Sequence, residues 1–409
     1  MVSGGRYGRM KERTAMKQER IDWMDGLKGL ACIFIVIHHF ILGYYPAAYL
    51  GAGGYSHCVS GADIRVAQSP LAFFTIGDLW VTVFCMVSGF LVAYQVFRMT
   101  DEKQFSKALL KRYPRLMLPV FFVSAVVFVM LQFDLFYNSQ AAALTHSEWL
   151  DQFYHDKSGI IELFTDSLID DWLVGMRTIY SNAFWMLRDL FVGAFAAYIL
   201  AAMGRKLQKG MLYVYIFVCI LYLSVNSRVA DFAFGVLAAY LVFRYQELFK
   251  EKKKLFTGIG LILLVVAVLL GAYPVGMEPT NGYRYLAGLG NFLYHRLTPY
   301  LFYHKLAVFA LLMGIFMVSV VQKLLSTKVG SFLGSISYAV YLIHIPVLFS
   351  LTAVLFVKMQ GLFKTYHAAC LVAFVVSLLV IILLAWLFHK FVEKPCIRFT
   401  NRLVERILK

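Results

Sequence analysis

The chain alternates between long apolar stretches and shorter polar connections. Ten stretches each hold about 20 mainly apolar residues, the length that an α-helix needs to cross the hydrocarbon core of a membrane. The border between the fifth and the sixth stretch consists only of Ser227 and Arg228. The pattern predicts an all-α polytopic membrane protein with about ten transmembrane helices. Their predicted limits are 27–45, 73–97, 116–133, 183–203, 210–226, 228–245, 256–273, 302–323, 332–357 and 367–391.

The composition agrees with a membrane protein and excludes several other classes. Of the 409 residues, 60% are hydrophobic and 15% are charged, and the mean hydropathy is +0.70. A soluble domain has about 45–50% apolar and about 25% charged residues. These values exclude a water-soluble globule, a disordered chain, collagen and a disulfide-stapled secreted scaffold. The six cysteines show no CxxC spacing, so the sequence predicts neither a disulfide framework nor a metal site.

The positive charge is spread over short clusters between the apolar stretches. The chain has 39 basic and 23 acidic residues, a formal net charge of +16. Because the basic residues form no single interleaved patch, they indicate a membrane-flanking role and no nucleic-acid partner. With ten spans, every basic cluster falls on one side of the bilayer, so both termini are predicted to be cytoplasmic. The clusters lie at 6–28, 98–115, 205–209, 244–254, 323–328 and from 390 onward.

The domain organisation follows from the same pattern. We expect a basic cytoplasmic segment at 1–20, a membrane-embedded domain at 21–399 and a basic cytoplasmic tail at 400–409. The first apolar stretch is long enough to span and lacks a cleavage pattern, so it is not read as a signal peptide. The two long outer connections are 134–182, which is acidic and could form a small cap, and 274–301. The second is rich in tyrosine and fits an interfacial aromatic belt or a platform for a sugar. The tyrosines in this connection and just beyond it are Tyr283, Tyr285, Tyr294, Tyr300 and Tyr303.

Ionisable residues inside the spans are candidates for function because burying them in a membrane is expensive. At 1.5 Å per residue, His39 and His344 lie roughly 18 Å above the inner edge. Asp189 lies about 9 Å below the outer edge of a core about 30 Å thick, so all three share a level. His38 diverges from His39 by about 100° on the helix. The alternatives are helix–helix hydrogen bonds, self-neutralisation of Asp189 by Arg188, or proton-coupled transport.

A second cluster lies at the inner mouth of the third span. Arg112 and Arg115 are three residues apart, so on a helix they share a face and can grip one multiply anionic group together. Lys111 adds a third positive charge. The positive-inside rule alone is an alternative explanation of these residues. Pro114 and Pro119 indicate a shaped helix start at this place.

Several ordered elements resemble the membrane-bound acyltransferase 3 superfamily over about residues 20 to 399. The chain departs from the family pattern at Lys28, where arginine is usual, and at Asp189, where glutamate is usual. Lysine cannot form the planar bidentate fork of arginine. The matching elements are 25–31 (DGLKGLA) followed by His39, 87–91 (VSGFL), 112–115 (RYPR), 184–190 (FWMLRDL), 337–344 (SYAVYLIH) and 391–395 (FVEKP).

The resemblance implies transfer of an acyl group, most often acetyl from acetyl-CoA, to a hydroxyl of a sugar or cell-envelope glycan. It implies an acyltransferase that moves groups other than aminoacyl groups, with acyl-CoA as donor co-substrate and no tightly bound cofactor. The family's distribution implies a multi-pass protein of a bacterial cell membrane, the plasma or inner membrane. The alternative function is that of a flippase, polymerase or proton-coupled transporter of lipid-linked sugars. Such a protein does not require the Arg-x-x-Arg element together with His39.

The resemblance also implies roles for individual residues. His39 is the expected catalytic base for the acceptor hydroxyl, with Asp189 and His344 as catalytic partners. An acyl-histidine intermediate is a variant that the sequence leaves open. The expected partners are acyl-CoA, a glycan or glycolipid acceptor and the lipid bilayer, and the oligomeric state is left open. The expected acyl-CoA-binding residues are Lys28, Arg112 and Arg115, and the supporting motif residues are Asp25, Ser88, Trp185, Tyr338 and Glu393.

Overall fold

The computed structural model describes residues 21–99, 101–175, 179–207, 210–223, 227–293 and 298–408. Within these ranges the protein is helical and contains no strand, which confirms the predicted all-α fold. The predicted basic segment 1–20 lies outside the described residues. Nine described helices are long and apolar enough to cross a membrane. They are α1 (Asp22–Tyr44), α2 (Gly77–Arg98), α3 (Glu102–Gln132), α4 (Trp185–Leu207), α5 (Val229–Glu251), α6 (Lys253–Gly271), α7 (Pro299–Met317), α8 (Lys328–Leu362) and α9 (Tyr366–Ile407).

The predicted fifth span, 210–226, differs from the helix that the structure has in this stretch. In the structure the stretch 210–226 contains a helix, Met211–Leu223, of 13 residues. A helix of this length extends about 20 Å, which is short of the about 30 Å of the hydrocarbon core. Residues 224–226 lie outside the described ranges. The placement of both termini in the cytoplasm relied on an even number of spans, so it stays a prediction.

The spanning helices pack in pairs. Helix α1 lies along α8, α2 along α5, and α6 along α7, while α4 packs against both α2 and α5. Helices α1 and α8 approach closely at glycines, since a Cβ added to Gly29 would lie 2.6 Å from the backbone nitrogen of Gly334. Small residues allow such close approach between membrane helices. The glycines of the element 25–31 therefore allow close packing of the two helices that carry His39 and His344.

One end of the bundle collects basic residues, and we call it the basic end. It is the end at which α1 and α8 begin, close to Lys28 and Lys328. The opposite end is called the loop end. The last part of α9, Lys394–Ile407, packs against α3. Residues 400–407, expected as a basic tail, therefore continue the helix.

The first long connection, 134–182, contacts several of the spanning helices. Its helix Asn138–Thr145 contacts α1 and the last part of α8. Further along, Ser158 accepts a hydrogen bond from Gln132 Nε2 (2.9 Å) at the end of α3.

The next residues of this connection run down the side of α3. The backbone oxygen of Leu168 accepts a hydrogen bond from the hydroxyl of Tyr113. Tyr113 lies 19 residues before Gln132 on the same helix, a separation of about 28 Å. Residues 160–173 therefore enter the bundle towards the basic end.

Candidate functional site

His39 and His344 form a hydrogen-bonded pair. Nε2 of His344 lies 3.1 Å from Nδ1 of His39, and Nδ1 of His344 lies 2.8 Å from the carbonyl oxygen of Tyr341. A carbonyl oxygen only accepts hydrogen bonds, so Nδ1 of His344 carries the proton and Nε2 of a neutral His344 is an acceptor. Nδ1 of His39 is then the donor. These hydrogen-bond partners assign the tautomer of His39 with Nε2 unprotonated.

A cavity of about 180 Å³ adjoins this pair. The ring of His39 stacks on Trp149 with centroids 5.4 Å apart and planes 18° apart. His344 is fully buried, whereas His39 is partly exposed and lines the cavity. The structure thus places the unpaired edge of a histidine in a space that a substrate can enter. Residues lining this space include His38, His39, Tyr49, Asp78, Trp149, Ala183, Trp185, Met186 and Tyr341.

Trp149 was not found by the sequence analysis. It belongs to the long connection 134–182, and neither a charge nor a spacing rule distinguishes it from other aromatic residues. Only the return of this connection over α1 brings its ring onto His39.

His38 has a separate contact that holds α1 to the start of α2. Its Nδ1 donates a hydrogen bond to the backbone oxygen of Thr75 (2.9 Å). Its ring lies so close to Gly77 that a Cβ added there would be 2.2 Å from Cδ2 of His38. His38 is buried and borders the cavity at His39, but its hydrogen bond joins it to the start of α2. The two adjacent histidines therefore have different neighbours, as the angle between them predicts.

Asp189 does not line the cavity at His39. Among the described residues, no hydrogen bond joins Asp189 to His39, and the polar groups that contact His39 are His344 and the backbone oxygen of Ile35. The charges that act on Asp189 are those of Arg228 and Arg188. The imidazole of His344 thus contacts His39 where the carboxylate of Asp189 was expected from the sequence.

A buried ion-pair cluster lies beside the His39 cavity. Arg228 donates hydrogen bonds to the carboxylate of Asp78, to the Asp78 backbone oxygen (3.1 Å) and to Oγ1 of Thr82 (2.6 Å). Its Nη1 also lies 3.9 Å from the carboxylate of Asp231. This cluster was not predicted from the sequence, although Asp78, Asp231 and Lys305 all lie within predicted spans. The rule that selects His39, that charges inside a membrane are functional candidates, selects them too.

The ion-pair cluster borders a second cavity of about 260 Å³. This cavity shares Asp78 and Trp185 with the cavity at His39, so the two spaces are neighbours. The guanidinium of Arg228 lies over the ring of Trp185 at 5.8 Å. Trp185, expected as a supporting motif residue, thus forms a wall common to both cavities. The second cavity is lined by Asp78, Trp185, Ser227, Arg228, Tyr300, Leu301 and Lys305.

The predicted donor-binding arginines lie on α3, towards the basic end. Nε of Arg112 is buried and has no hydrogen-bond partner among the residues that the structure describes. The side chains of Tyr198 and Tyr338 are neighbours of Arg112, and Arg115 is exposed. Tyr338 also donates a hydrogen bond to the backbone oxygen of Leu116 (2.7 Å). A buried N–H without a partner fits an anionic ligand, because such a group is costly to leave unsatisfied.

A row of rings on α8 connects these arginines to the histidine pair. The ring centroids of Tyr338 and Tyr341 are 6.4 Å apart, and those of Tyr341 and His344 are 6.3 Å apart. Tyr338 and His344 are six residues apart, or about 9 Å along the helix. Tyr338, a neighbour of Arg112, is therefore less than two helical turns from His344.

The remaining predicted residues have local contacts. Lys28 forms an ion pair with Asp25 (2.8 Å), so its charge is already balanced on α1. Glu393 lies 2.7 Å from Nδ1 of His389 in a π-helical turn of α9, and Ser88 is partly buried on α2. In the described ranges, no three His, Cys, Asp or Glu side chains are grouped to hold a metal ion.

Comparison with known proteins identifies the family. The sequence model of the Acyl_transf_3 family, described as an acyltransferase domain, matches residues 21–389. The chain therefore belongs to the acyltransferase 3 superfamily and is a membrane acyltransferase. No curated protein and no solved structure matches it. The matched range includes the histidine pair, both arginines and both cavities.

Proposed function

We propose that this member of the acyltransferase 3 superfamily is an O-acyltransferase embedded in a cell membrane. It moves an acyl group, acetyl in the first instance, from acyl-CoA to a hydroxyl of a sugar or cell-envelope glycan. The observation that carries the proposal is the hydrogen bond between Nδ1 of His39 and Nε2 of His344 beside a cavity. This bond leaves the basic nitrogen of His39 available to the acceptor.

His39 is the general base of the proposed reaction. Its Nε2 takes the proton of the acceptor hydroxyl while the hydroxyl oxygen attacks the thioester carbonyl. The resulting imidazolium donates from Nδ1 to neutral His344 through a hydrogen bond that becomes charge-assisted. When the tetrahedral intermediate collapses, the carbon–sulfur bond breaks and His39 returns the proton to the thiolate. The products are an O-acyl ester and free CoA thiol.

The donor is proposed to bind at the basic end. Phosphates of acyl-CoA accept hydrogen bonds from Arg112 and Arg115, which supply directed N–H groups. The unpaired Nε of Arg112 supports this role. The row of Tyr338 and Tyr341 leads from Arg112 towards His39, and we propose that the thioester arm follows it. We propose that this end faces the cytoplasm, where acyl-CoA is found.

The acceptor, a glycan or glycolipid, is proposed to approach from the loop end, where Trp149 covers His39. We place the protein in the plasma or inner membrane of a bacterium, as a multi-pass protein. Family membership favours this reaction over transport of lipid-linked sugars.

The test is donor hydrolysis by purified protein. In detergent or nanodiscs with acetyl-CoA and no acceptor, the protein should release CoA thiol slowly, and acceptor should accelerate the release. Mass spectrometry of envelope glycans with and without the protein then identifies the acceptor. Absence of thiol release from acetyl-, propionyl- and succinyl-CoA, with unchanged glycans, would contradict the proposal.

A further inference from the structure

We propose that the second cavity, beside Arg228, binds an uncharged sugar ring of the acceptor, while the His39 cavity holds only the reacting hydroxyl and the acyl group. This inference rests on the proposed function and specifies its acceptor class and subsite. The cavity adjoins the catalytic space, because Asp78 and Trp185 line both. A ring held there borders the space that His39 lines.

The charges around the cavity cancel. Arg228 is paired with Asp78, and the side chains are 10% and 18% exposed. Asp231 is 1% exposed and Lys305 is 2% exposed, and each acts electrostatically on the other. Asp189, which is acted on by Arg228 and Arg188, adds one further carboxylate and one further cation. Three cations and three carboxylates thus leave no net charge to attract an anion. A phosphate or carboxylate ligand would have to displace carboxylates that already neutralise the cations.

The cavity offers acceptors as well as donors of hydrogen bonds. Oδ2 of Asp78 is buried, and in the described part of the chain no donor meets it with good hydrogen-bond geometry, although the Tyr300 hydroxyl lies close to this carboxylate. Arg228, Lys305 and Tyr300 supply donors around the same space. Sugar hydroxyls both donate and accept, so they match a site of this mixed kind, whereas an anion only accepts.

Two aromatic rings complete the match. Trp185 and Tyr300 line the cavity, and both combine an apolar ring with a polar group. Specific pockets commonly combine apolar and aromatic walls with a few placed polar groups. Tyr300 lies in the first turn of α7, at the end of the predicted tyrosine-rich connection 274–301, for which the sequence left open a sugar platform or an interfacial belt. Its place in this cavity favours the platform for that residue.

The experiment is protection of an introduced cysteine. Ser227→Cys places a thiol in the cavity wall, in a Cys58→Ser background, because the other five native cysteines are buried. Alkylation by a small thiol reagent is timed with and without a panel of neutral methyl glycosides. At least one glycoside should slow alkylation severalfold, and inorganic phosphate at matched ionic strength should not. Leu301→Cys is a second reporter on the wall, and exposed Ser60→Cys is the unprotected control.

The outcomes separate this inference from the proposed function. Lack of protection by every glycoside, or stronger protection by phosphate, overturns the inference even if glycosides are acylated. Protection without any acyl transfer supports the sugar site and contradicts the proposed reaction. Tyr300→Phe should raise the KM for a protecting glycoside and leave the KM for acyl-CoA unchanged. An unchanged KM for the glycoside would contradict a role of the Tyr300 hydroxyl in the site.

Discussion

Nδ1 of His39 and Nε2 of His344 lie 3.1 Å apart across the interface of α1 and α8. The far nitrogen of His344 is held by the carbonyl oxygen of Tyr341 at 2.8 Å. This chain of hydrogen bonds sets the tautomer of His39 without any carboxylate. We therefore propose that His344 is a positioning residue, which acts on the reaction through His39.

Replacing His344 should lower kcat without changing substrate binding. We expect His344→Ala to lose about 10²-fold in kcat with little change in either KM, because the imidazolium of His39 loses the side-chain acceptor that positions and stabilises it. His344→Gln should recover part of the loss, since its side-chain oxygen can accept from Nδ1 of His39. Steady-state kinetics of acyl transfer measures both effects.

Asp189→Asn is the matched comparison, since Asp189 is the partner expected from the sequence. Its charged neighbours are Arg228 and Arg188, so the variant should keep most of its kcat. A loss in Asp189→Asn as large as that in His344→Ala would restore the carboxylate dyad and contradict our assignment.

Removing Arg115 should weaken donor binding. Arg115→Ala should raise the KM for acyl-CoA about tenfold or more and leave the KM for the acceptor unchanged, because a charge-assisted contact to phosphate is lost. Arg115→Lys should recover only part of the affinity. Lys103→Ala, an exposed basic residue on the same helix, is the control. Unchanged acyl-CoA binding of Arg115→Ala by calorimetry would rule out this role.

The packing of His38 on Gly77 can be tested by a pair of substitutions. Gly77→Ala should lower thermal stability, because its Cβ would lie 2.2 Å from Cδ2 of His38. His38→Ala removes the ring, so Gly77→Ala should cost less in that background. Unfolding midpoints in detergent measure this double-mutant cycle. Equal losses in both backgrounds would mean that the two residues are not coupled.

His57 should make stability depend on pH. It lies in the connection after α1, and its Nε2 contacts the backbone oxygen of Thr145 (2.9 Å). Burial lowers the pKa of His57 below its usual value of about 6.5. Below about pH 6.5 the unfolded chain then binds a proton that the folded chain does not, so stability falls as the pH falls.

The variant His57→Gln tests this dependence. Its unfolding midpoint should decline less than that of the parent between about pH 7.5 and 5.5, since the titrating group is gone. Equal declines in both proteins would assign the pH dependence to other groups.

Much of the fold could be predicted because apolar length is a direct requirement of the membrane. The stretch 210–226 is apolar enough to span, but composition alone does not fix where a helix ends. Helix rise also placed His39 and His344 at one level, and in the structure their side chains meet.

The direction in which the side chain of Asp189 points could not be predicted from its depth in the membrane. The rotation of a helix about its axis depends on the helices that pack against it. Helix α4, which carries Asp189, packs against α2 and α5. Asp78 lies on α2, and Asp231, a neighbour of Arg228, lies on α5. The pairing of Asp78 with Arg228 joins residues 150 positions apart, so no local pattern shows it. The position of Trp149 over His39 depends on the path of a long connection in the same way.

The central claim is that His39 performs the chemistry and that its neighbour His38 does not. The most direct test compares acyl transfer and acceptor-free hydrolysis of acetyl-CoA by His39→Ala and His38→Ala, purified from membranes in equal amounts. We predict that His39→Ala loses about 10²–10⁴-fold in kcat. His38→Ala should lose thermal stability, with its hydrogen bond to Thr75, and keep most of its activity. Equal activity of the two variants, or a loss confined to His38→Ala, would contradict the account.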